Sequence, residues 1–504
     1  MKITFIKPPA YGVGLMGVQR VPHLGIAYIA AAARDEGHEV DVIDMCGEDI
    51  DRVELLRGEY LAYGMPVSAL DTRLKPSRVI GFTVMFSQDW VFIREIIDYV
   101  RKLAPDALLV AGGEHVTAVP DYCLSDCPAL DVCVVGEGEE ALVSLLDATF
   151  RGDDLSTVGS LVYRAPDGSV KHTARRDRIK GLDQLPLPAW DLIPVENYLS
   201  RGLNYHLQRG RTMPMLATRG CPYKCTFCSN PNMWGTAWLP RDPKLVVDEV
   251  ELYIKQYGAT NFIFSDLTAV IKKRVVVDFC REIIRRKLDV TWQLPTTRSE
   301  ALDLETLMLM HKAGCRELDF AIESASAEVI KSVLKNNNAE KMSQAIKDAL
   351  SIEMNLAVNI IIGLPGEGLR DFFKSYFMSL RLAVMGLQEL NCFPFTPYPG
   401  SQLFFEFIKA GRLRLDDKFF LDLYGYADLS KAVSWSDRFS PRGLRFLRLF
   451  LMSSFYSVMF LTHPRRIVRL LTNVLRGDST TKLEGVVKRI ARGARDHRAA
   501  AKAI

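Results

Sequence analysis

Over residues 1–150 the apolar positions fall into short runs rich in β-branched and aromatic side chains, separated by stretches with helical spacing. Residues 3–6, 40–44, 79–84, 107–111 and 131–135 read as buried strands. A helix is expected over 22–34, with Pro22 near its start and Gly37 past its end. A second is expected over 93–103. Strands alternating with helices imply a doubly wound parallel sheet. Ligands of such sheets bind beyond the carboxyl ends of the strands. Three glycine-bearing loops are expected there: one after the first strand, one at Gly112-Gly113, and one at Gly136 and Gly138. Each alone is a weak signal that a turn or helix cap also explains.

Residues 151–210 read as a connector. A hairpin is expected over 159–172 around Pro166-Asp-Gly168, followed by a proline-rich strap over 182–194. From about 211 to 430 strand and helix patterns repeat. Strands are expected at 214–218, 261–266, 290–293, 317–323, 355–362 and 389–393, with helices at 243–257, 272–287, 304–313, 339–352 and 369–385. Six such units predict a partial (β/α)6 barrel, open on one side, rather than the closed eight. The fold class is α/β, with a helical extension over 431–504.

The apolar fraction suits a globular chain with full cores. The 10 cysteines show no framework of paired spacings, which points to a reducing, cytoplasmic setting. The N-terminus has no signal-peptide pattern. The small net charge hides an asymmetry: from residue 441 to the end 14 Lys and Arg stand against 3 Asp and Glu. Residues 443–461 are strongly apolar but carry Arg445 and Arg448, and are expected to be too short and too charged to span a bilayer. Two readings stay open for 440–477: peripheral membrane contact, or a helical cap over the barrel. Nucleic acid is not an expected partner, because the basic residues form no binding module.

The most specific stretch is Cys221-Pro-Tyr-Lys-Cys225-Thr-Phe-Cys228, which starts just after the first barrel strand. Structural zinc takes four ligands and an iron–sulfur cluster normally takes four thiolates. Three closely spaced thiols leave one metal position open for a small ligand. The bland alternatives are a zinc knuckle or three unrelated thiols. With Phe227 before the last cysteine, the spacing resembles the signature of the radical SAM superfamily.

Over the first domain, Pro22-His-Leu-Gly25, Gly112-Gly-Glu-His115-Val-Thr117 and Gly136-Glu-Gly138-Glu resemble the cobalamin-binding domain found ahead of many radical SAM domains. The resemblance covers residues 1–430 and implies three cofactors: cobalamin, a 4Fe–4S cluster on Cys221, Cys225 and Cys228, and S-adenosylmethionine (SAM). It assigns Pro22, Gly25, Gly112, Gly113, His115, Thr117, Gly136 and Gly138 to cobalamin. The DxHxxG pattern of the mutases is absent, so no His is expected on cobalt, and His38 reads as a helix-end residue. For SAM the resemblance implies Phe227, Asp266, Arg298, Glu323, Gly363 and Pro365, all at or near strand ends. Ser265 stands where the family usually has a first acid. Tyr398, in Pro397-Tyr-Pro-Gly400, is expected on the substrate side.

In the family's methylases one SAM supplies the methyl group through cobalamin, and a second supplies a 5′-deoxyadenosyl radical. An electron donor such as flavodoxin or ferredoxin is implied. Cys-Thr-Phe-Cys-Ser, Asp-Leu-Thr-Ala and Thr-Trp-Gln-Leu-Pro look closest to hopanoid C-methylases and the anaerobic Mg-protoporphyrin ester cyclase. The expected function is therefore C-methylation of a lipophilic polycyclic molecule, such as a hopanoid-like lipid. The alternatives are oxidative cyclisation or hydroxylation of a tetrapyrrole and, from another class, a non-catalytic cobalamin or redox sensor.

Overall fold

The computed structural model describes all residues except 14–19, 204–208, 429–430, 432, 477–480, 482, 486 and 488–504, and at 296 the backbone alone. Five parallel strands form the first sheet: β1 (Lys2–Lys7), β2 (Glu39–Asp44), β3 (Val79–Thr83), β4 (Leu108–Gly112) and β5 (Val132–Val134). Between them lie helices α1 (Leu24–Asp35) and α2 (Trp90–Leu103), and after β5 comes α3 (Gly138–Arg151). The order is β2-β1-β3-β4-β5, so the winding reverses between β1 and β3. That reversal opens a crevice at the carboxyl ends, the usual ligand position of an open α/β sheet. Strand alternation sorts the core into two faces. Ile3, Phe5 and Val79 pack with α1 and α3, while Ile6, Ile80 and Phe82 pack with α2.

Helix α1 begins where its cap allows. His23 is the N-cap, and its Nδ1 accepts from the Ile26 N–H at 3.1 Å. The hairpin expected in the connector forms as β6 (Leu161–Arg164) and β7 (Val170–His172). It extends the first sheet: β6 pairs antiparallel with β5, and Leu161, Val162 and Tyr163 are buried. A three-stranded antiparallel sheet of Ala10–Val13, Val53–Leu56 and Tyr60–Tyr63 was not foreseen. The strap is ordered. Trp190 is buried and donates from its indole to Tyr253 Oη at 2.9 Å.

The second sheet has six parallel strands in chain order: β8 (Thr212–Met215), β9 (Asn261–Phe264), β10 (Thr291–Thr297), β11 (Cys315–Glu323), β12 (Asn355–Ile362) and β13 (Glu389–Pro394). Helices α4 (Pro243–Tyr257), α5 (Lys273–Arg285), α6 (Leu304–Lys312), α7 (Ala339–Ser351) and α8 (Leu369–Val384) connect them from β8 onwards. Local chemistry explains the boundaries. For α4, Asp242 caps Lys244 N–H, Pro243 opens the first turn, and Gly258 ends the helix with φ 60°. β8 and β13 are the two edges of this open barrel.

The chain then forms α9 (Pro441–Thr462) and α10 (Arg465–Arg476). At 22 residues, with a mean hydropathy of 1.4 over its most apolar window, α9 is long and apolar enough to cross a membrane. By length and composition alone this corrects the expectation from sequence that the stretch is too short and too charged to span. In the fold α9 lies against α8 and β13, burying Leu444, Leu447, Leu451, Phe455 and Met459. Arg448 is buried too; its guanidinium donates to the carbonyls of Cys392, Tyr426 and Asp428 at 2.8, 3.2 and 3.2 Å. Most of the extension expected beyond 476 lies outside the described residues.

Candidate functional site

The cysteine loop leaves β8 through Thr218–Arg219, which pairs with Leu239–Pro240. Gly220 follows with φ 84°, and a Cβ there would stand 2.1 Å from the Ala237 carbonyl oxygen. Only glycine takes that turn into Cys221. Further on, Thr226 N–H donates to Val333 O, Leu403 N–H donates to Thr226 O, and Asn230 Nδ2 donates to Cys221 O. The loop is thus held from three directions.

Of the 10 cysteines, Cys221, Cys225 and Cys228 are half-buried, and the other seven are buried. Burial raises all three thiol pKa values, that of Cys228 to about 12. The cations of Arg298 and Lys335 oppose this at Cys221 and Cys225. Positive charge beside a thiol favours the thiolate, the form that binds iron. Among the described residues no group of three or more His, Cys, Asp or Glu is gathered closely enough to hold a metal ion. The donor set nonetheless fits an iron–sulfur cluster with one open corner: three soft ligands on one clamped loop, accessible where every other thiol is buried.

The residues expected at SAM surround this loop, and several are engaged by the protein itself. Asp266 is buried. Its Oδ1 accepts from Thr218 Oγ1 at 2.5 Å and its Oδ2 from Ala217 N–H at 3.2 Å. Both oxygens pin the stretch leading to Cys221, and burial raises the carboxyl pKa to about 6. Arg298 stacks on the ring of Tyr223 inside the loop, 3.7 Å from its centroid, and pairs with Glu300 at 2.7 Å. Glu323 ends β11 in the left-handed region, φ 67°, and its Oε1 pairs with Lys335 Nζ at 2.7 Å. A non-glycine residue held there marks a constrained site. Phe227 packs against the apolar cluster containing Phe404 and Phe420.

Gly363 departs from expectation. Its backbone is buried rather than exposed. A Cβ there would stand 3.0 Å from Leu444 Cδ1 of α9, and its N–H donates to Glu367 Oε2. Pro365 and Gly366 are the accessible residues of that turn. Tyr398 departs as well. Its Oη accepts from Ser87 N–H at 3.0 Å, so it joins the barrel to the loop after β3.

The positions expected at cobalamin divide into surface and support. Gly25 is exposed, and Gly112, Gly113 and Gly138 are half-buried. A Cβ on Gly112 would meet nothing within 4 Å, which leaves open space where a large flat ligand fits against backbone. Thr117 is buried and ties the two glycine loops together. Its Oγ1 donates to Gly113 O at 2.8 Å and accepts from Gly136 N–H at 3.0 Å. His115 is fully buried, so its ring does not reach a ligand on the sheet. Its Nδ1 lies 3.0 Å from Ser87 Oγ, between Trp90 and Phe420, and burial lowers its pKa to about 3. Pro22 and Gly136 are buried as well. His38 lies 3.4 Å from the N-terminal amine through its Nδ1.

Sequence reasoning missed the seam between the sheets. Arg219, two residues before Cys221, is buried between carboxylates of the other sheet: Glu139 at 2.6 Å and Glu137 at 3.2 Å. Glu137 also pairs with Arg178 at 2.6 Å. Ser229, next to Cys228, donates to Glu114 of the Gly112-Gly113 loop, and Asn232 Nδ2 donates to Thr117 O at 3.3 Å. The available signal was an arginine abutting the cysteine motif and an acid-rich turn, Gly136-Glu-Gly-Glu-Glu140, with no local partner. The carboxyl ends of both sheets therefore face each other, with the cysteine loop against the glycine loops.

Comparison with known proteins agrees with this division. The B12 binding domain family matches residues 17–146, and the Radical SAM superfamily matches residues 215–378. The chain is 28% identical to an uncharacterized methyltransferase of Pyrococcus horikoshii, over 82% of this chain and 84% of that one. It is 29% identical to the anaerobic magnesium-protoporphyrin IX monomethyl ester cyclase of Rubrivivax gelatinosus, over 81% and 70%. The fold is that of the radical SAM methyltransferase TsrM from Kitasatospora setae, solved with cobalamin and a [4Fe-4S] cluster. The TM-score is 0.65 at 19% identity, over 81% of this chain and 78% of that one.

Proposed function

Because the chain belongs to the cobalamin-dependent radical SAM family, we propose that it is a C-methyltransferase acting on an unactivated carbon of a lipophilic polycyclic molecule, such as a hopanoid-like lipid. The family's cofactors are cobalamin, a 4Fe–4S cluster and SAM. Bound, they supply one-electron and methyl-transfer chemistry. In the net reaction one substrate hydrogen is replaced by the methyl group of one SAM, which leaves as S-adenosylhomocysteine. A second SAM leaves as methionine and 5′-deoxyadenosine, which carries the substrate hydrogen away. Two electrons come from an external donor such as flavodoxin or ferredoxin.

The protein's part is orientation. In this reading Cys221, Cys225 and Cys228 hold the cluster, with Arg298 and Lys335 favouring the thiolate forms of Cys221 and Cys225. Gly25, Gly112, Gly113 and Gly138 offer backbone to cobalamin, and Thr117 fixes the spacing of their loops. Glu323 stands at a strand end beside the cysteine loop, and the Pro365 turn follows the next strand. The observation that supports the reading is the face-to-face seam, which sets the cysteine loop against the glycine loops.

An apolar substrate is supported by side chains at the same strand ends. Met85 and Phe86 follow β3 and Leu267 follows β9, all exposed. Tyr426 stacks on Phe393 of β13 at 4.5 Å. A second reading, oxidative cyclisation of a tetrapyrrole, is favoured by the similarity to the cyclase. Anaerobic reconstitution followed by incubation with SAM and reductant separates the two. S-adenosylhomocysteine formed together with 5′-deoxyadenosine supports methyl transfer. Deoxyadenosine alone supports the cyclase, and neither product from a cluster-replete protein refutes both.

A further inference from the structure

We propose that α8, α9 and α10 together form a docking face for an anionic lipid bilayer, on which the protein lies without crossing it. The inference rests on these helices alone and stands whichever substrate is correct.

The outer side of the three helices carries large apolar side chains that no described residue covers. Phe377 is 63% exposed, Phe446 65%, Leu461 80% and Leu475 87%. The rings form one continuous surface across the α8–α9 contact. Phe377 lies 5.3 Å from Tyr376, Tyr376 stacks on Phe450 at 4.9 Å, and Phe450 stacks on Phe446 at 6.0 Å. A contiguous exposed apolar patch of this kind marks an interaction surface.

α10 continues it. Arg466 donates to the carbonyls of Gly386 and Leu387 at 2.7 and 3.0 Å, which seats the start of α10 against the end of α8. Ile467, Val468, Leu471 and Leu475 are all exposed and fall on one face by helical spacing. Arg465, Arg469 and Arg476 lie together along one border of that face by the same spacing. No residue of α10 is buried. An apolar face with arginines along its border is the pattern of a helix lying in a membrane interface.

Charge selects the occupant. Residues 441–476 contain seven Arg and no Asp, Glu or Lys. Arg448 is spent inside the fold, and Arg442, Arg445, Arg465, Arg469 and Arg476 are exposed. A purely apolar protein partner gives no reason for such one-signed charge, whereas anionic headgroups do. The same Arg448 excludes a spanning α9. Its guanidinium is fixed to three carbonyls in the barrel, so one side of the helix belongs to the protein and only the other is free for lipid.

The test uses the full-length protein and sedimentation with vesicles of phosphatidylcholine, alone or mixed with an equal part of phosphatidylglycerol. Wild type is expected to pellet with the mixed vesicles and to be released by salt. R465Q/R469Q/R476Q should lower partitioning about a hundredfold, from roughly 1 kcal/mol per surface arginine. F377S/F446S/L475S should lower it by a similar factor, about a hundredfold, through lost apolar burial. Both variants change only exposed side chains, so secondary structure should be unchanged by circular dichroism. Wild type remaining in the supernatant would overturn the proposal. So would unchanged binding of the apolar variant, which would assign lipid binding to the basic residues beyond 476. A stable dimer that F377S/F446S/L475S dissociates, in a protein that does not pellet, would reassign the face to a second copy of the chain.

Discussion

The sharpest test of the site concerns Asp266, which the family resemblance assigns to SAM and the fold places under the cysteine loop. Asp266→Ala removes the acceptor for Ala217 N–H and Thr218 Oγ1. Each buried donor left without a partner costs about 1–3 kcal/mol, so the stretch entering Cys221 should loosen and iron content per chain should fall. Asp266→Asn keeps the shape and one fixed acceptor, and the Thr218 hydroxyl can turn to meet the new amide. Iron content should then be retained, with SAM affinity changed by less than about threefold.

The charge itself leaves a pH signature. The folded-state pKa of Asp266 is raised, to about 6 from 3.8, by burial. A raised carboxyl pKa contributes stability that is full below the unfolded value and is lost as pH rises through the folded one. The shift corresponds to about 3 kcal/mol in all, of which about 1.5 kcal/mol falls between about pH 5 and pH 8. Wild type should lose that amount relative to Asp266→Asn across this range, measured by denaturant unfolding of the cofactor-free protein. Parallel pH profiles would refute the burial argument. Full iron content with SAM binding weakened about tenfold in Asp266→Asn would refute the pinning role and restore a direct contact with SAM.

Three further outcomes follow from the packing. Gly363→Ala places a Cβ at φ 80° and 3.0 Å from Leu444, so it should destabilise by more than about 1 kcal/mol in chemical denaturation; in a Leu444→Ala background the increment should shrink but keep its backbone part. Lys335→Met strands the buried Glu323 carboxylate and should cost about 3–5 kcal/mol by the same measurement, with Glu323→Gln added to it recovering part of the loss. Tyr398→Phe removes the acceptor of Ser87 N–H, worth about 1–2 kcal/mol, and should speed hydrogen exchange at that amide by about tenfold or more, while leaving β10 and β11 unchanged.

The elements of both sheets were readable because their apolar patterns are local. Strand 355–362 is observed as Asn355–Ile362 and helix 243–257 as Pro243–Tyr257, the latter with its cap, proline and terminal glycine all in the sequence. The cysteine motif was equally readable, since three ligands on one loop need no distant partner. What was not readable is what remote chain brings to a position. Gly363 was expected open at a strand end, and Leu444, far along the chain, covers it. His115 belongs to a motif, yet Trp90 and Phe420 enclose it. Asp266 looked free for a ligand until Thr218 and Ala217 were placed beside it. The antiparallel sheet around Tyr60–Tyr63 was missed because its strands are four residues each, too short for a periodicity to show.

These remote contacts bear on how the seam works. An ion pair is costly to bury and costly to break once buried. Arg219 is nearly inaccessible and is shared by Glu137 and Glu139 from the facing sheet, while Arg178 holds the second oxygen of Glu137. Opening the seam there would strand two carboxylates and a guanidinium, so the cysteine loop and the turn after β5 move together. Along the same seam Glu114 takes Ser229 and Tyr398 takes Ser87, and at the barrel's β13 edge α9 packs against α8 and β13. The spacing of the cysteine loop and the glycine loops is then set by folding, through ion pairs and hydrogen bonds made within the chain. Such preorganisation suits a reaction in which a short-lived radical must meet its target before anything else does.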